Sequence, residues 1–226
     1  MADPALRLHD LRFAYPGAAW ELHVADLTLA AGEQALLVGG SGLGKSTVLQ
    51  LVAGLRDPTE GSIEVGGVRM DLLRGAARDQ ARGTRIGMIF QTFNLLHGFS
   101  AIENVLAALM FGPMPPARHE ERARGLLSRL GISDAEAEVD RMSVGQQQRV
   151  AVARALAARP ALVLADEPTA SLDPSNAAAA MDLIQSACRE DGAALLCTSH
   201  DPTLRARFPR VESIERFVRT AAEARP

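Results

Sequence analysis

Apolar residues near the N-terminus fall on alternate positions, with interruptions: Leu6, Leu8, Leu11 and Phe13, then Leu22, Val24, Leu27 and Leu29. A period of two predicts half-buried antiparallel strands. The stretch "QALLVGG", beginning at Gln34, breaks this rhythm with a continuous apolar run of strand length, as expected of a central parallel strand covered on both faces. Three further runs of this kind follow, "RIGMIF", "ALVLAD" and "AALLCTSH", with helical stretches between them. Strands alternating with helices predict a parallel α/β sheet whose ligand sits at the carboxyl ends of the strands.

Between "RIGMIFQ" and "ALVLADE" the texture changes. Ser100 and Glu103 have the spacing of a capping box, and Ile102, Val105, Leu106 and Leu109 follow at helical intervals. "GPMPPAR", Gly112 to Arg118, then interrupts the chain with three prolines, and "HEERARGLLSRLG" reads as a helix closed by Gly131. The segment predicts a helical lobe over residues 91–149, inserted into an α/β core made of residues 1–90 and 150–226. The alanine run Ala177 to Ala180 is a good helix former, and no internal repeat accompanies it.

At 226 residues and 47% hydrophobic content the chain can bury one good core, so a single domain over 1–226 is expected. Its 24 basic and 27 acidic residues leave a formal net charge of -3, which argues against nucleic acid as a partner. Cys188 and Cys197 have neither redox nor metal-ligand spacing and read as buried fillers. The opening "MADPALRLHD" has no basic region followed by an apolar one, and no uncharged apolar run approaches the ~20 residues that a bilayer crossing needs. A soluble, cytoplasmic chain is expected, which would reach a membrane only through a partner.

"GGSGLGKST" comprises Gly39, Gly40, Ser41, Gly42, Leu43, Gly44, Lys45, Ser46 and Thr47. It fits G-x-x-x-x-G-K-[ST], placed after a buried strand and before the helical pattern Val48, Leu49, Val52, Leu55. Glycines let successive backbone N–H groups turn toward an anion, the helix N-terminus adds partial positive charge, and Lys45 reaches the terminal phosphates. Ser46 offers a hydroxyl to Mg2+. "ALVLADE" delivers Asp166 to a strand end as a metal carboxylate, followed by Glu167, placed to deprotonate an attacking water. His200 ends the fourth run and Gln91 the second, where it can touch the metal or the water. All four runs therefore end in polar or flexible groups on one expected edge. A second device, "MSVGQQQRVAVARAL", has the form of a Ser-capped helix N-terminus, Met142 to Leu156.

In these residues and their order the chain resembles the ATP-binding-cassette ATPases, whose fold is a P-loop NTPase core with an antiparallel β subdomain and an inserted helical subdomain. The Walker A motif is "GGSGLGKST", the Q-loop "FQTFN", the signature "MSVGQ", Walker B "ALVLADE", the D-loop Ser171 to Asp173, and the switch histidine His200. The resemblance implies catalytic roles for Glu167, His200, Lys45 and Gln91, and ATP with Mg2+ held by Ser46, Gln91 and Asp166. It also makes Tyr15 of "FAYPG" the aromatic that stacks on adenine. Because the signature of one subunit faces the Walker A of another in this family, Ser143 and Gly145, with the helix beginning near Gln146, would grip the γ-phosphate of the partner copy's nucleotide, and Asp173 is expected to be a nucleotide-binding residue.

The signature departs from the family's Leu-Ser-Gly-Gly-Gln at Val144, which keeps its amide but cannot readily enter positive φ. If a left-handed turn is needed there, the site is crippled; if only the amide matters, little changes. The tail "FPRVESIERF" lacks the family's closing glycine turn. "FQTFNLLHGFSAIENV" resembles the subgroup that powers lipoprotein release and macrolide efflux, which implies an integral membrane permease docking near Phe93, Leu95 and Leu96. Two other readings stand beside the motor: a soluble cassette acting on nucleic acid or an assembly scaffold, and a nucleotide-gated binding module with little turnover.

Overall fold

The computed structural model describes residues 3–18, 20–170 and 172–220. The alternating N-terminal positions form β1, Leu6–Phe13, and β2, Trp20–Leu29, paired antiparallel with Leu6 opposite Leu29. Three strands that the hydrophobic pattern did not announce complete this sheet: β4, Glu60–Val65, β5, Val68–Arg69, and β10, Val218–Thr220, in the order β10-β2-β1-β4-β5.

The four continuous runs become β3, Gln34–Val38, β6, Ile86–Ile89, β7, Leu162–Asp166, and β8, Ala194–Ser199. All are parallel, in a second sheet ordered β6-β7-β8-β3-β9 whose last strand is β9, Arg210–Ser213. Their runs are uninterrupted because successive side chains enter two different cores. Leu36, Val163, Ala165 and Leu195 face the helical side, whereas Leu37, Leu162, Leu164 and Leu196 face the antiparallel sheet. β9, with the sequence "RVES", has a single apolar residue, too few to give it a strand signature.

Helix α1, Lys45–Val52, follows β3 directly. It stops sooner than the apolar spacing suggests. Gly54 takes φ +65, its amide donates to the Leu51 carbonyl, and the Leu55 amide donates to the Gln50 carbonyl. This Schellman turn throws Leu55 out of the helix to 52% exposure, so the expected fourth helical position is a surface residue. After α2, Gly75–Arg85, come α3, Ala101–Leu109, α4, His119–Arg129, and α5, Val144–Leu156. Ser100 and Glu103 form the capping box reciprocally, and Gly131 closes α4 with the same Schellman pairing, Ile132 to Leu127 and Gly131 to Ser128. Helix α5 runs through the boundary expected between residues 149 and 150 and buries Val150 and Val152 in the helical-side core.

The last helix, α6, spans Pro174–Asp191. Cys188 on α6 and Cys197 on β8 are both fully buried. Burial, with Asp191 nearby, pushes the Cys188 thiol up to about 12, and burial also raises that of Cys197.

Candidate active site

β3 delivers the chain to the phosphate loop, and the loop's glycines take the conformations an L side chain resists: Gly39 at φ +148, Gly42 at +78 and Gly44 at +96, the last serving as N-cap of α1. Gly39 is glycine for a second reason. A Cβ there would lie 2.2 Å from Ile214 Cγ2, because the tail packs beneath the loop. Lys45, the first residue of α1, is almost fully buried; its Nζ donates to the Gly39 and Gly40 carbonyls at 3.0 and 3.1 Å and lies 3.3 Å from Glu167 Oε1.

Register places the acids. Asp166 pairs with Thr198 across β7 and β8, and Thr198 Oγ1 donates to Asp166 Oδ1 at 2.8 Å while Ser46 Oγ donates to the same oxygen at 3.0 Å. Glu167 leaves the strand in the left-handed region, φ +48, at a cost of about 1–2 kcal/mol for a residue with a Cβ. Its amide is held by the Thr198 carbonyl and Oγ1, both at 3.2 Å. Its carboxylate receives His200 on the other side, Nδ1 at 2.7 Å and the backbone amide at 3.3 Å from Oε2. Lys45, Ser46, Asp166, Glu167 and His200 are thus one connected network. Thr198, which ties both acids together from a fully buried position, was missed by the sequence reasoning; its signal was only its place two residues before His200 in "CTSH".

Gln91 stands two residues beyond β6, whose final residue Ile89 lies opposite Ala165, so it is carried on the same carboxyl edge as Asp166. Tyr15 is tied to the loop helix through a 3.1 Å hydrogen bond between its hydroxyl and Thr47 Oγ1. The Arg56 guanidinium sits 4.8 Å from the Tyr15 ring centroid, and Phe13 and Trp20 meet the ring edge-on.

Ser46 and Asp166 are hard oxygen donors 3.0 Å apart, the donor set that suits Mg2+, a metal that usually keeps water and phosphate for most of its ligands. Consistently, among the described residues no group of three or more His, Cys, Asp or Glu could cage a metal unaided.

The signature residues lie elsewhere. Ser143 caps α5, accepting from the Gln146 amide at 3.3 Å while Gln146 Oε1 accepts from the Ser143 amide at 3.0 Å. Val144 opens the helix with negative φ and is 54% exposed. The position therefore adopts no left-handed turn and keeps its amide at the helix N-terminus, where anions bind. A Cβ on Gly145 would meet nothing within 4 Å, so the absent side chain leaves room outside the chain and relieves no contact within it. The cavity of about 330 Å³ before these residues is walled by α6 and its approach, Leu172, Asn176 and Ala180 among them, and by no residue of the phosphate loop. Asp173 belongs to this region, accepting from the Asn176 amide at 3.1 Å and side chain at 2.6 Å. Ser171 lies outside the described residues.

One expectation needs correction. Phe93 and Leu95 are 7% and 8% exposed and pack in the helical-side core, so they do not line a docking surface; of the three, only Leu96 is exposed. Phe93 and Asn94 both adopt left-handed backbone, turning the Phe93 side chain inward, and Arg154 on α5 donates to both their carbonyls.

The ABC transporter family model matches residues 22–170. The chain is 45% identical over 188 residues to "Lipoprotein-releasing system ATP-binding protein LolD 1" of Caulobacter vibrioides, covering 82% of this chain and 80% of the relative. It is 40% identical over 215 residues to "Lipoprotein-releasing system ATP-binding protein LolD" of Paramagnetospirillum magneticum, covering 93% and 95%. Among solved structures, the dimeric post-hydrolysis state of the ATP-binding cassette MJ0796 bound to ADP and Pi superposes with a TM-score of 0.75 at 31% identity, over 92% of this chain and 93% of that one. For cbiO1 of Clostridium perfringens, part of the ABC transporter complex cbiONQ, the TM-score is 0.76 at 29% identity, over 88% and 79%.

Proposed function

This chain belongs to the ABC transporter family as an ATP-hydrolysing motor subunit, and we propose that two copies close around two Mg-ATP and drive a separate membrane subunit of a lipoprotein-releasing type system. The single observation that carries the paired arrangement is the division of the machinery. Lys45, Ser46, Asp166, Glu167 and His200 share one network, whereas Ser143 and Gly145 open onto a cavity that the phosphate loop does not reach. Dimeric MJ0796 and the LolD relatives support the pairing and the cargo class respectively.

In this reading the loop amides and Lys45 bind the phosphates, and Tyr15 stacks on the adenine. Ser46 and Asp166, with Gln91 beside them, would hold Mg2+, which when bound neutralises charge on the β- and γ-phosphate oxygens. Triphosphate binding competes with Glu167 for Lys45, which releases the carboxylate to take a proton from the attacking water. His200 keeps that carboxylate oriented. Ser143 and the amides at the start of α5 then grip the γ-phosphate held by the other copy, each charge-assisted hydrogen bond contributing about 1.5–3 kcal/mol.

Docking on the membrane subunit falls to a groove of about 510 Å³ beside the Q-loop, lined by Phe90, Asn94, Ala108, Phe111 and Arg154. No helix among the described residues is long and apolar enough to cross a membrane; the membrane subunit would hold the chain at the cytoplasmic face. The test is the ATPase rate against chain concentration. A rate rising faster than linearly at low concentration supports paired sites; strict proportionality from a proven monomer refutes them. Co-purification with a membrane subunit tests the transport role separately.

A further inference from the structure

Away from the nucleotide site and beyond the docking groove, the end of α2, the proline turn before α4 and the end of α5 enclose a cavity of about 930 Å³. Five arginines line it, Arg85, Arg118, Arg122, Arg129 and Arg159, against one acid, Glu121. They fall into two groups. Arg122 and Arg129 are committed to structure: both bond Asp191, at 2.5 and 2.7 Å, and Arg122 also caps α5 through the Leu156 carbonyl at 2.8 Å. Arg85, Arg118 and Arg159 are exposed, and among the described residues none of the three has a side-chain hydrogen bond or ion pair. Three uncompensated guanidinium groups facing one concavity, in a chain of net charge -3, are a local departure from its electrostatics.

The neighbouring surface is apolar. Met110 and Phe111, immediately before the proline turn, are 76% and 61% exposed, the first being the most exposed large hydrophobic residue described. Exposed apolar side chains beside a basic cavity are the pairing that an anionic membrane surface rewards, acyl chains taking the first and phosphate the second. Guanidinium forks bind phosphate oxygens bidentately, and three of them on separate elements can surround one headgroup.

We propose that this cavity binds the phosphate headgroup of an anionic phospholipid, with Met110 seated at the bilayer interface. The inference rests on the proposed function only for where the chain meets lipid; the chemistry comes from this surface alone.

The test is co-sedimentation of the purified full chain with phosphatidylcholine vesicles with or without phosphatidylglycerol. Each arginine near an anionic surface is worth about a factor of five, so Arg85→Gln/Arg118→Gln/Arg159→Gln should bind phosphatidylglycerol vesicles on the order of a hundredfold more weakly. Met110→Ser should weaken vesicle binding while leaving the arginines intact. ATP hydrolysis in solution should be unchanged in both variants, which separates failure here from failure of the motor assignment. The proposal is overturned if the triple variant binds vesicles as the unaltered chain does. It is equally overturned if the unaltered chain shows no preference for phosphatidylglycerol, or if the arginines matter only for inorganic phosphate or for a polyglutamate peptide.

Discussion

Lys45 Nζ lies 3.3 Å from Glu167 Oε1, while His200 Nδ1 holds the other oxygen of the same carboxylate at 2.7 Å. A lysine and a histidine thus share one acid, and in the proposed mechanism the acid's task depends on which of them it keeps. Glu167→Gln removes the proton acceptor but preserves its shape. Steady-state ATP hydrolysis should fall by about 10² to 10⁴, with nucleotide affinity little changed, as measured by phosphate release and equilibrium binding.

Thr198 is the buried link between Asp166 and Glu167. Its hydroxyl donates to Asp166 and accepts from the Glu167 amide. Thr198→Val should cost about 1–3 kcal/mol of stability, because the part-buried Asp166 carboxylate loses a charge-assisted hydrogen bond. It should also raise the Mg2+ concentration needed for half-maximal activity, read from a magnesium titration of the ATPase rate.

Val144 sits in the first helical position of α5 with its side chain in solvent. Restoring glycine by Val144→Gly should leave the ATPase rate within about threefold, since the amide that matters is already present and backbone cost there is under about 1 kcal/mol. Ser143→Ala should be worse on both counts. It loses about 1 kcal/mol of cap and, in the paired assembly, a phosphate contact. A large gain from Val144→Gly would show that a left-handed turn is required after all.

Arg154 connects the signature helix to the Q-loop segment by donating to the Phe93 and Asn94 carbonyls, and burial lowers the pKa of its guanidinium. Arg154→Met should destabilise the fold by about 2–3 kcal/mol and expose residues 91–96 to proteolysis. Arg154→Lys should not restore the turn, since one ammonium cannot reproduce a planar fork aimed at two carbonyls. Chemical denaturation and limited digestion check both.

The parallel sheet was legible because strands covered on both faces must be continuously apolar, as "ALVLAD" and "QALLVGG" are. β9 was not, because an edge strand such as "RVES" is held by backbone pairing to β3 and needs no apolar side chains. The phosphate loop and the acids were legible because their chemistry fixes residue types at fixed offsets. Thr198 and Arg154 were not, since each acts by reaching across the fold to an atom 32 or about 60 residues away. Phe93 and Leu95 misled because an apolar residue in a loop looks the same whether it faces a partner or, through a left-handed turn, the core.

If each catalytic centre draws on two copies of the chain, sedimentation of Glu167→Gln with saturating Mg-ATP will show it. Glu167→Gln should be a dimer with ATP, a monomer with ADP, and a monomer under both conditions when Ser143→Arg is added. A Glu167→Gln chain that stays monomeric with bound ATP, or a dimer indifferent to Ser143→Arg, would contradict it.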